Sequence, residues 1–179
     1  EVPGVGQVQV DAEIAFNLEY AAVPCEVVQQ EPLDFGEIEA TFAGQDAAAC
    51  RGSSESPELF PDKAIWRSVL VSMFLHGGLL HLAGNLLYLW IFGNNVEDRL
   101  GHLPYLAFYL AGGVVATLAH VLVNADSTVP VVGASGAIAA VMGAYLVWYP
   151  NARIRTLVMT LFVFVTDVRA KWLLAFWFV

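Results

Sequence analysis

Three side chains in this sequence have types and spacing that could do acyl-transfer chemistry. One is Ser135, inside Gly133-Ala134-Ser135-Gly136; the others are His81 and Asn85, four residues apart. Gly133 and Gly136 let the backbone turn sharply and come close to another group, and the residues from there to Trp148 are almost free of polar side chains. A serine at that point opens an apolar helix. It sits among N–H groups with no partner inside the helix, at the positive end of the dipole, where a developing oxyanion is best stabilised. Taken alone, the motif reads as an N-cap serine on a buried helix. His81 and Asn85 share one helical face. In a helix crossing lipid such a pair is costly unless it faces protein or water, so it marks a functional cavity or bonds between helices.

The elements that must carry these residues follow from composition. With 58% hydrophobic and 14% charged residues, a chain of 179 has too little polar material to coat a soluble globule, so it reads as a membrane protein. Thirteen of its seventeen acids precede Lys63 and six of its eight bases follow it, which divides the chain into an acidic loop, 1–63, and a membrane core, 64–179. Neither nucleic acid nor an anionic lipid surface is an expected partner for so acidic a face. The chain begins at Glu1 without a signal-like stretch and stops at Val179 within an apolar run, so both ends read as cuts.

Within the loop, Phe35, Ile38 and Phe42 have helical spacing. They predict a short amphipathic helix over 34–42 that lies on the membrane or on the bundle, or else a surface helix without a partner. Cys25 and Cys50 are the only cysteines. Outside the cytoplasm they are expected to form a disulfide that closes the loop; two free thiols are the alternative.

Spans are predicted at about 69–92, 103–123 and 134–149, with an incomplete one from about 170. His76-Gly77-Gly78 breaks the first span into a loop entering the membrane and a helix from about Leu79. Gly93 to Gly101 reads as a polar turn anchored by Glu97 and Arg99. Gly136, Ala140 and Ala144, with Ala139 and Gly143, predict that the Ser135 helix is central and tightly packed on more than one side. Counting Arg99, Arg153 and Arg155 on one side, the positive-inside rule puts Ser135 and the acidic loop on the other, outside. The fold class expected is therefore an all-α polytopic membrane protein with a long extracytoplasmic first loop.

Trp66-Arg67, His76, His81, Asn85, Gly93, Glu97, Arg99 and Gly133-Ala134-Ser135-Gly136, in that order over about 66–150, resemble the rhomboid intramembrane serine proteases of bacterial type. The resemblance implies a rhomboid-like helical bundle in a bacterial plasma membrane. By it, Ser135 is the nucleophile, at the bottom of a water-filled dip, and His81 and Asn85 help form the oxyanion hole. Trp66 and Arg67 belong to an outer loop lying against the membrane. The family's general base is a histidine on a last helix that lies beyond this chain, and the first helix is missing too, so the chain by itself is expected to be inactive. His102 falls on the cytoplasmic side and nothing aims His120 at Ser135. The activity implied is cleavage of transmembrane substrate proteins in or near the bilayer through an acyl-enzyme, with no cofactor and no metal. The alternative is a rhomboid-like pseudoprotease that binds and escorts membrane proteins without cutting. A small transporter would need two repeated halves, which the sequence does not show.

Overall fold

The acidic segment has a small core of its own and also packs on the helical part of the chain, Ala22 and Val27 against Ile65, Val69 and Val121. The computed structural model describes residues 11–50, 56–159 and 163–178. Helices α1 (Ala12–Tyr20), α2 (Pro24–Gln29) and α3 (Phe35–Phe42) surround Leu18, Val23, Cys25, Leu33 and Ile38, each at most 3% exposed. Pro24 takes the first turn of α2, where its missing N–H costs nothing. A capping box opens α3: Asp34 accepts from the Glu37 amide at 2.8 Å, and the Glu37 carboxylate accepts from the Asp34 amide at 3.2 Å. The helix expected over 34–42 is thus present, but its apolar face closes this core rather than lying on a membrane. Cys25 and Cys50 form a disulfide, with Cα atoms 5.7 Å apart, so the free-thiol alternative does not apply.

The unit also buries an ion pair. Lys63 meets the Glu26 carboxylate and donates to the Leu18 carbonyl at 2.6 Å, the two side chains being 1% and 3% exposed. Burial pushes the Glu26 carboxyl up and the Lys63 ammonium down, and each partner's charge opposes the shift.

The rest of the chain is a helical core. Helix α4 (Ile65–Val71) runs into a 3-10 turn at Ser72–Phe74, then breaks; α5 (Leu79–Leu100) leaves at 78° to it. The break falls at Gly77 and Gly78, and Gly78 holds φ of 138°, open to glycine without strain. No turn occupies 93–100: α5 runs on to Leu100, because Phe92 and Val96 continue its buried face, and the chain reverses at Gly101. Glu97 then pairs with His102 at 2.7 Å and the Arg99 guanidinium lies 5.0 Å from the Trp148 ring.

Helices α6 (His102–Val123) and α7 (Ser135–Trp148) meet through small residues. A Cβ at Gly112 would come 2.5 Å from Ala140 Cβ, and one at Gly136 would come 2.5 Å from Ala116 Cβ, so the backbones touch only because these positions are glycine. A Cβ at Gly143 would meet nothing within 4 Å, yet α7 also packs against α5 and α8 (Ala170–Phe178), so it is central to the bundle as expected. Phe92, Val96, Ile138, Val141, Met142, Tyr145 and, from α8, Leu174 form the central core.

The all-α expectation is corrected by a hairpin. β1 (Arg153–Met159) and β2 (Val163–Arg169) pair antiparallel, Arg153 opposite Arg169 and Leu157 opposite Val165. Side chains along β1 alternate between exposed and partly covered, the period-2 pattern of a strand.

Helix α6 is long and apolar enough to cross a membrane, and α4 with α5 qualifies as a bent pair. At 1.5 Å per residue α6 is about 33 Å long, a full hydrocarbon core, while α7 reaches only about 21 Å. The α6–α7 register, Gly112 against Ala140 and Ala116 against Gly136, places Ser135 level with Thr117. Helix α6 continues six residues past that level, so α7 starts about 9 Å below its end.

Candidate active site

Ser135 is the first residue of α7 and is exposed. The first bond along the helix runs from the Ile138 amide to the Ala134 carbonyl at 3.0 Å, leaving the amides of Ser135, Gly136 and Ala137 without an acceptor inside the helix. The turn ahead of it requires Gly133 twice over. Its φ is 123°, and a Cβ there would sit 2.9 Å from both Nε2 and Cε1 of His81. The same point lies 3.8 Å from Ser135 Oγ, so the His81 imidazole and the serine hydroxyl flank one glycine.

His81 belongs to the first turn of α5 and is itself exposed. Its ring meets that of His76 edge-on, centroids 5.2 Å apart. His76 stands just before the glycine break, and its buried Nε2 has no hydrogen-bond partner among the described residues. Asn85, 8% exposed, donates from Nδ2 to the His81 carbonyl at 3.0 Å. It shares with His76 and Ala134 the wall of an apolar cavity of about 400 Å³ between α5 and α6.

The other residues singled out by sequence lie apart. Glu97 and Arg99 are sixteen and eighteen residues along α5 from His81, roughly 24 Å or more by the helical rise, and secure the opposite end of the bundle. Trp66 is 60% exposed on α4 and donates to Gln30 Oε1 at 2.8 Å, tying that helix to the acidic unit; Arg67 beside it is exposed. Cys25 and Cys50 lie within the acidic unit.

One residue of the site region escaped the sequence reading. The carbonyl of Ser72 accepts from the Gly133 amide at 2.9 Å, and its buried hydroxyl accepts from the Ala22 amide at 2.6 Å while donating to the Ser68 carbonyl at 2.7 Å. Ser68 and Ser72 are four apart in an apolar helix, the same signal that drew attention to His81 and Asn85.

The Rhomboid domain family profile matches residues 62–179. The chain belongs to the rhomboid family. Among similar proteins, the mitochondrial presenilin-associated rhomboid-like protein of Bos taurus is 31% identical over 115 residues, 63% of this chain and 30% of that protein. Rhomboid protease GluP of Bacillus subtilis is 41% identical over 81 residues, 45% of this chain and 15% of the relative. RHOMBOID-like protein 5 of Arabidopsis thaliana is 35% identical over 81 residues, 45% of this chain and 26% of the relative. The chain thus spans less than a third of the length of these relatives. No solved structure matches it. As a rhomboid, it is an integral membrane protein of a family that includes serine proteases. The expected bacterial plasma membrane is not supported, since these relatives come from mitochondrial, bacterial and plant sources and the first of them carries a mitochondrial name.

Proposed function

We propose that this chain is the larger part of the catalytic core of an intramembrane serine endopeptidase that cleaves transmembrane proteins in or next to the bilayer. Ser135 Oγ attacks the scissile carbonyl and forms an acyl-enzyme. The oxyanion is held by the Ser135 amide with His81 and Asn85. The serine proton passes to a histidine on a further helix of the parent protein, which then protonates the leaving amine, and water completes the cycle.

The observation that carries this reading is the convergence at Gly133. An exposed serine at a helix N-terminus, an imidazole edge within van der Waals reach of the same glycine, and amides free of acceptors in the helix meet at one point, about 9 Å along the axis from the end of α6. A soluble hydrolase can borrow donors from water; a site at this depth needs donors built in. The adjoining apolar cavity suits an apolar substrate side chain. The bases at the opposite end, Arg99, Arg153, Arg155, Arg169 and Lys171, support an extracytoplasmic orientation for Ser135 and for the acidic unit of residues 1–63.

The test uses the full-length parent in detergent, labelled with a fluorophosphonate. Expected is labelling that disappears in Ser135→Ala, and a loss of about a hundredfold in cleavage for Asn85→Ala, the scale of one oxyanion donor. A folded parent that neither labels nor cleaves would move the escorting pseudoprotease ahead.

A further inference from the structure

Between α6 and α7 the chain must come back from the end of α6 to the level of Thr117, below the membrane surface by the reading above. Backbone N–H groups that enter a membrane must be satisfied by protein. Here the long-range partners come mainly from the acidic unit. The Val131 amide donates to the Ala22 carbonyl at 2.8 Å, and the Ser127 carbonyl accepts from the Cys25 amide at 2.9 Å. The Thr128 amide donates to the Ala47 carbonyl at 3.0 Å, and the Thr128 hydroxyl, wholly buried, lies 2.6 Å from that of Thr41. Ala22 is itself held by Ser72, whose carbonyl takes the Gly133 amide two residues before the serine.

These contacts have a geometry. One set comes from the segment of Ala22 and Cys25; the other comes from Thr41 and Ala47. The two segments grip residues 127–131 between them, and the Cys25–Cys50 disulfide joins them. Nothing else in the described loop fixes its path so far from its ends.

We infer that the acidic unit is a clamp that positions Ser135, with the disulfide holding its two jaws on the 127–133 segment and Thr128 and Ser72 as positioning residues. This rests on Ser135 being the nucleophile. The clamp touches no reacting atom. It sets where the serine hydroxyl and its amide stand relative to His81, and a misplacement of about 1 Å costs on the order of a hundredfold in a reaction of this kind.

The experiment compares the full-length parent with Cys25→Ser/Cys50→Ser, Thr128→Val and Thr128→Ser. Three quantities are read: the rate of fluorophosphonate labelling, hydrogen exchange at the Val131 and Gly133 amides, and the unfolding temperature of the helical core. Expected for the double cysteine variant is labelling slowed about tenfold or more, faster exchange at both amides, and an unchanged core unfolding temperature. Thr128→Val, which keeps the disulfide and the side-chain volume, shows the same changes in smaller measure, and Thr128→Ser, which keeps the hydroxyl, restores labelling. Labelling at the parental rate in both the cysteine variant and Thr128→Val overturns the inference, whatever the exchange shows. If the folded parent itself does not label, exchange decides: lost protection in the variants keeps the clamp and removes Ser135 as nucleophile, while kept protection overturns the clamp.

Discussion

In the acidic unit Leu18, Val23, Leu33 and Ile38 are 3% exposed or less, whereas in the helical core Leu79, Leu80, Leu103 and Leu122 are 80% exposed or more. The polar groups sort the other way. The unit buries Glu26, Asp34 and Glu37, each with a partner from Lys63 or the capping box, while the polar residues buried in the helical core, among the described residues, are neutral ones such as Ser72, Asn85 and Thr117. The contrast is the one expected of a water-facing unit beside a lipid-facing bundle. Water drives apolar groups inward and leaves paired charges tolerable inside; lipid accepts leucine on the surface and leaves neutral hydrogen bonds and close backbone contact to hold helices together.

The comparison breaks most sharply at the buried ion pair. Lys63→Met leaves the Glu26 carboxylate inside the unit without its counter-charge, and should cost the unit about 3–5 kcal/mol, whereas Glu26→Gln/Lys63→Met should recover most of it. Limited proteolysis of the 11–63 segment across a denaturant series reads this. A single variant as resistant as the parent would show that the pair is not buried as described.

A second test exchanges the solvents. Leu87→Arg, at a half-exposed position midway along the apolar part of α5, should weaken membrane insertion by about 2.5–3.5 kcal/mol. Val28→Lys, equally exposed on the acidic unit, should stay within about 0.5 kcal/mol. Insertion assays of both variants in one background separate them, and equal effects would erase the distinction between the two surfaces.

A third test addresses the helical core's own cohesion. Gly112→Ala places a methyl 2.5 Å from Ala140 Cβ and should cost about 1–3 kcal/mol by forcing α6 from α7. Thermal unfolding in detergent measures it, and an unchanged midpoint would mean that these helices are not held by close backbone approach.

Much of this organisation was legible residue by residue. The glycine break after His76 and the apolar run of α6 are local properties, and the structure follows them. Two elements were misread for definable reasons. Phe92, Val96 and Leu100 recur every fourth residue, a helical signal that Asn94, Asn95, Glu97 and Asp98 disguised as a turn. In 153–169, apolar residues fill both faces toward the hairpin's tip, which hides the strand alternation visible only nearer Arg153. At the site, the glycines stood out because they let the backbone turn and approach closely, and the polar pair because it is costly in a membrane helix unless it has a use.

By itself the sequence showed where the acidic and the apolar stretches lie, where the chain breaks before α5, and which side chains could carry chemistry. Only the tertiary structure decided that the acidic unit grips the loop before Ser135. The physical reason lies in the donors and acceptors involved. The carbonyls of Ala22, Ala47 and Ser72 belong to the backbone, every residue has one, and no residue type announces which of them will be brought to Val131, Thr128 and Gly133.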